Sequence, residues 1–138
     1  MDLTTLSAHE IATAVSEQNV SAVDVTMAHL RRLDEVNPKI NAVVETCYQQ
    51  AISKASSIDN RISKGEKLGP MAGVPVTIKI VTDQKDFITS FGLCRQQKNI
   101  AKEDSPLVKN FINADAVIIG RTNSPAFATR WFTDNNLY

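Results

Sequence analysis

With 138 residues, 43% of them hydrophobic and 22% charged, the chain has the composition of one compact globular domain rather than of a disordered or fibrous protein. Fifteen basic and fifteen acidic residues cancel and are interspersed, which argues against nucleic acid or an anionic membrane as the main partner and leaves a small molecule or a protein. The start MDLTTLSAHEI lacks the basic residues and long apolar run of a secretory signal, and no stretch approaches the roughly 18–20 apolar residues of a membrane span, so a soluble cytoplasmic protein is expected.

Ser7 and Glu10 have capping-box spacing, and Ile11, Ala14 and Val15 share one helical face, which predicts a helix over about 8–18. Ser21 and Asp24 repeat the signal ahead of the apolar stripe Val23, Met27 and Leu30, and Asn37-Pro38 is expected to stop this second helix. Tyr48, Ile52, Ala55, Ile58 and Ile62 predict a third helix over about 44–64, with Gly65 in the left-handed position after it.

The turn residues LGPMAG then lead into VPVTIKIV, a strand with Val74, Val76, Ile78 and Ile80 on one face and Thr77, Lys79 and Val81 on the other. Residues 82–104 are polar and weakly patterned and read as a long surface connection with room for a short strand. Ser105-Pro106 caps a further helix, with Leu107, Val108, Phe111 and Ile112 on its apolar face, ending near Asp115. Residues 116–120, AVIIG, form a uniformly apolar run, as expected of a strand covered on both faces in a parallel sheet. Strand, crossover helix and strand imply a right-handed βαβ unit between about 74 and 120. The fold class is therefore α/β, with N-terminal helices followed by a partial mixed sheet. Four aromatic residues, Phe127, Trp131, Phe132 and Tyr138, crowd the tail, which calls for something to pack against.

Among chemical candidates, Lys79 has two readings. An exposed strand lysine keeps its ammonium in water. A partly buried one has its amine pKa lowered and becomes a usable proton acceptor, and the glycine-proline turn running into an apolar strand suits that case. Cys47 and Cys94 match no metal or redox spacing and are expected to be reduced thiols without a disulfide. Cys94 beside Arg95 reads as an ordinary loop cysteine ahead of a reactive thiol, and His9 and His29 as surface or boundary residues.

GPMAGVPVTIK, then EDSPLVKNFINADAVIIGRTNSPAF, then RWFTDN occur in an order and spacing that resembles the N-terminal part of an amidase-signature enzyme, and is also similar to the amidase component of glutamyl-tRNA amidotransferase. The resemblance covers nearly the whole chain from residue 7 onward. It implies an incomplete amidase-signature fold over residues 1–138, with no cofactor and no metal, from a family that hydrolyses carbon–nitrogen amide bonds with a serine, a cis-serine and a lysine. Lys79 occupies the lysine position, where the family's lysine relays a proton through a bridging serine to the attacking serine.

The sequence reaches Tyr138 before the family's glycine- and serine-rich segment and later nucleophile, so both serines are missing and the isolated chain is expected to be inactive. Ser90, Ser105 and Ser124 lie in other family blocks; Ser105 reads as a helix cap and Ser124 as part of a turn. Ile80-Val81 replace a usual polar residue or pair, and Asp86 stands where glycine is usual, departures that suggest relaxed catalytic constraint. A small amide is expected as substrate only if the missing region is supplied. The alternatives are a non-catalytic oligomeric interaction module or a remnant, and the expected assembly is a homo-oligomer or a pairing with a partner chain.

Overall fold

The computed structural model describes residues 2–138. After a 3-10 turn at Leu3–Thr5, helix α1 spans Ala8–Ser16, and its capping box is complete: Glu10 N–H donates to Ser7 Oγ, and Ser7 N–H to the Glu10 carboxylate. Helix α2 spans Ala22–Ile40. Ser21 Oγ accepts from Asp24 N–H, while Asp59 accepts from the Ala22 and Val23 amides at 2.7 and 3.1 Å, so a carboxylate from the next helix satisfies the free N–H groups at the α2 N-terminus.

α2 does not stop at Asn37-Pro38 but runs through Pro38 to Ile40. So close to the helix end, the proline removes a single backbone donor, and the local geometry is held from both sides. Asn41 caps the helix in the left-handed conformation (φ +47°), its N–H donating to Asn37 O, and the Asn37 side chain exchanges two 2.8 Å hydrogen bonds with the Val43 backbone.

Strand β1, Val43–Thr46, occupies residues expected to begin the third helix; that helix, α3, spans Tyr48–Ser63. The adjacent β-branched residues Val43 and Val44 suit a pleated strand once a partner strand is present. Strand β2 is Pro75–Lys79, α4 is Pro106–Asn113 with Ser105 Oγ accepting from Val108 N–H, and β3 is Val117–Thr122. Residues 82–104 carry an isolated bridge between Ile88 and Ile100 and a 3-10 turn at Cys94–Gln96.

The sheet order is β1-β3-β2, with β1 antiparallel and β2 parallel to β3, a mixed sheet. Ile11, Val15, Val25, Leu30, Ala55 and Ile58 from α1 to α3 pack with Val74, Val117 and Ile119, so the helices cover one face of the sheet. Gly69 lies so close to the chain before β3 that a Cβ there would meet Ala114 C at 2.5 Å. Asp115, itself left-handed at φ +63°, ties the same corner together. Its carboxylate accepts from Lys54 at 2.8 Å, Arg61 at 2.6 Å and Gly69 N–H at 2.8 Å. Three segments are thereby pinned just before the strand that carries Lys79 begins.

Candidate active site

β2 and β3 run parallel and end together, Lys79 standing beside Thr122 in register. The carboxyl ends of parallel strands are where α/β folds expose ligand-binding groups, because the loops diverge there. Burial alternates along β2: Ile78 and Ile80 are buried, while Thr77 and Lys79 are exposed. Ile78 and Ile80 are thus turned inward, and Lys79 projects from the opposite side of an edge strand. Of the two readings of Lys79, the exposed strand lysine is the one this structure shows. Lysine ion pairs are made by Lys54 and Lys109, and Lys79 makes none among the described residues.

The backbone around Lys79 is tightly specified. Ile80 N–H donates to Thr122 O at 3.0 Å, and Thr82 N–H closes a turn onto Lys79 O at 2.9 Å. Ile80 is fully buried, so that position serves the core. Asp86 adopts φ +67°, a left-handed conformation that glycine takes without penalty and aspartate tolerates.

The side chain that organises this region is Arg121, which sequence reasoning missed. It is fully buried at the end of β3, in register with Ile78. Its Nη2 donates to Thr82 O at 3.1 Å and Ile88 O at 3.0 Å, its Nη1 donates to Gln84 Oε1 at 3.2 Å, and its Nε lies 3.5 Å from Glu45 Oε2. Phe87 packs beneath the guanidinium, 5.9 Å from the ring centroid. Burial lowers the Arg121 pKa against the opposing pull of Glu45, yet a guanidinium remains the charged species. Burial likewise raises the Glu45 carboxyl, Arg121 and the Ile88 backbone partly offsetting it. Cys47, buried beside Gln84, has its thiol pushed up by burial to about 11, which makes it inert, whereas Cys94 is exposed. The available signal was a single arginine closing an apolar run, because unpaired arginine is rarely buried.

A second network follows β3. Asn123 and Ser124 are buried directly after β3, and Asn135 Nδ2 donates to Asn123 Oδ1 and Ser124 O, both at 2.7 Å. Asn135 Oδ1 accepts from the Leu137 and Tyr138 amides, and the Tyr138 hydroxyl donates to Ser90 Oγ at 3.3 Å. Gly92, at φ +70°, passes so near Ser124 O that a Cβ would sit at 2.8 Å. Ser90 and Ser124 are thereby hydrogen-bonded within the joint between the 89–92 turn and the tail, and Ser105 caps α4. His29 Nδ1 bonds Val25 O within its own helix and His9 is exposed on α1, so neither joins the site. Cys94 opens onto a groove of about 450 Å³ that Arg95 and Arg130 also line and Lys79 does not.

What the arrangement offers chemically is a solvent-facing primary amine at the rim of a parallel strand pair, followed by a turn that Arg121 ties to Ile88. No group of three or more metal-ligating side chains occurs among the described residues, and no described helix is long and apolar enough to cross a membrane.

The amidase family pattern matches residues 24–138. The chain is similar to an indoleacetamide hydrolase of Bradyrhizobium diazoefficiens (40% identity, 96% of this chain, 25% of that protein) and to an acylamidase of Rhodococcus erythropolis (38%, 96% and 28%). A solved structure described as an inhibitor-bound vestigial protein complex that reveals the origins of an s-triazine catabolic enzyme matches with a TM-score of 0.92 and 29% identity, over 96% of this chain and 29% of that one. The chain spans about a quarter of the length of these relatives.

Proposed function

The chain belongs to the amidase family, and from that premise we propose that it supplies the lysine of an amide-hydrolysing site, Lys79, and depends on further polypeptide for the two serines. The carrying observation is the placement of Lys79: it stands at the carboxyl end of β2 beside Thr122, on the exposed side of that strand. In this reading the Lys79 amine accepts the attacking serine's proton through the bridging serine as that attacking serine bonds the amide carbon, and hands it on to the leaving nitrogen as the carbon–nitrogen bond breaks. On the same reading, the polypeptide that brings the serines also covers the exposed side of β2 and shields the Lys79 amine from water.

The relatives' names point to small amides as the substrate class. In this reading the chain by itself lacks both serines, and loss of the nucleophile from such a unit typically costs on the order of 10⁶ in rate. Its setting is cytoplasmic, in keeping with the two unpaired thiols Cys47 and Cys94. The test is hydrolysis of a panel of aryl and alkyl amides by the purified chain and by Lys79→Ala: both are expected to match the buffer rate, and Lys79-dependent hydrolysis would show that an attacking group is already present.

A second reading, a non-catalytic module that associates with another chain or with its own copies, draws on the exposure of Trp131 (98%), Phe132 (80%) and Phe127 (62%) together with the open edge of β2. The two readings share one requirement, a polypeptide that covers these surfaces.

A further inference from the structure

The two stretches that frame Lys79 are separated in sequence but meet at one side chain. Thr82 N–H closes the turn on Lys79 O, and Thr82 O accepts from Arg121 Nη2, so the first turn after the lysine is held from both ends of one residue. The same Nη2 binds Ile88 O, immediately before the 89–92 turn that packs on Ser124 through Gly92. Between these anchors, Gln84 accepts from Nη1, and Phe87 packs beneath the guanidinium. The arginine is itself fixed by strand pairing, with Ile78 and Lys79 in register beside Arg121 and Thr122.

A buried guanidinium left without partners is costly; here Nη2 binds two backbone carbonyls, whose positions do not depend on which side chains the loop carries, while Nη1 donates to the Gln84 side chain.

We propose that Arg121 is a positioning residue for Lys79: by clamping Thr82 and Ile88 it sets where the lysine-bearing strand end lies relative to the 89–92 turn. This rests on the reading of Lys79 as the proton-handling group, but its test does not require hydrolysis. A lysine at position 121 keeps the charge facing Glu45 and lacks the fork that reaches both carbonyls. Methionine keeps much of the volume and removes every donor.

The experiment compares the 15N-labelled chain, with 13C-labelled lysine, as wild type, Arg121→Lys, Arg121→Met and the core control Ile58→Val. In both Arg121 variants the amides of Thr82, Phe87 and Thr89 are expected to exchange about tenfold to a hundredfold faster relative to those of Val25 and Ile58, the range set by the loss of charge-assisted hydrogen bonds. The Lys79 side-chain signal is expected to move in both. In Ile58→Val all protected amides speed up by a common factor, and the Lys79 signal stays in place. Should Arg121→Met fail to fold, Arg121→Lys decides the matter alone. An unchanged exchange ratio overturns the clamp; a loosened loop with an unmoved Lys79 signal overturns the positioning role and leaves Arg121 a loop stabiliser only. Inactivity toward every amide touches neither readout, so this proposal and the amidase reading fail separately.

Discussion

Asp115→Asn removes the charge at the corner where α3, the Gly69 turn and the start of β3 meet, while keeping the shape of the side chain. Asparagine tolerates the φ of +63° at this position, and with its one side-chain oxygen kept on Gly69 N–H its amide NH2 faces Lys54 and Arg61, so both ion pairs are lost. Burial pushes the Asp115 carboxyl up, but Lys54, the Gly69 amide and Arg61 together outweigh it and hold the group at about 2 instead of 3.8. Such a depression corresponds to roughly 2 kcal/mol of folding stability at neutral pH. Because the folded-state value is the lower one, this contribution is fully present above about pH 4 and is lost as pH falls through about 2. Urea titrations followed by far-ultraviolet circular dichroism read it directly. With a slope of about 1–3 kcal/mol per molar urea, the variant's midpoint should fall by about 1 M at pH 7, and the free-energy gap to wild type should shrink to about half by pH 3. A midpoint unchanged at pH 7, or a gap of equal size at both pH values, would refute the reasoning.

The same corner has no room for a methyl group: Gly69→Ala places a Cβ 2.5 Å from the Ala114 carbonyl carbon, where only backbone movement relieves the clash. A loss of about 1–3 kcal/mol is expected in the same titration, and a neutral result would mean that the turn and the α4–β3 junction move apart freely. Trp131→Ala at a 98% exposed site should change monomer stability by less than about 0.5 kcal/mol. It should weaken self-association in sedimentation velocity if the aromatic tail is the contact, whereas an equal sedimentation profile for wild type and variant places the contact elsewhere.

The elements that were legible from residues alone are those with local causes. Ser7 with Glu10, Ser21 with Asp24 and Ser105 with Pro106 each name a helix start through a hydrogen bond spanning a few residues, and all three caps form. β1 was not legible, since Val43–Thr46 is too short to show a period and becomes a strand only through pairing with β3, more than 70 positions later. Pro38 misled because its cost depends on how near the helix end it falls and on Asn37 gripping Val43.

For the site, the family pattern around GPMAGVPVTIK singled out Lys79, but whether its amine is covered depends on what packs over the exposed side of β2. Arg121 was hidden for the opposite reason. Its role comes from carbonyls at Thr82 and Ile88, and a backbone acceptor leaves no mark on residue identity.

The central claim, that Lys79 is the proton-handling residue of an amide-hydrolysing site that this chain does not complete alone, is tested most directly by one set of initial rates. The proteins compared are the isolated chain, the chain fused to the part of the Rhodococcus acylamidase beyond its matched quarter, and that fusion carrying Lys79→Met. The account predicts amide hydrolysis by the fusion only, falling by roughly 10²–10⁴-fold or more when Lys79 is replaced. Hydrolysis by the isolated chain, or a fusion whose rate is indifferent to Lys79, would contradict it.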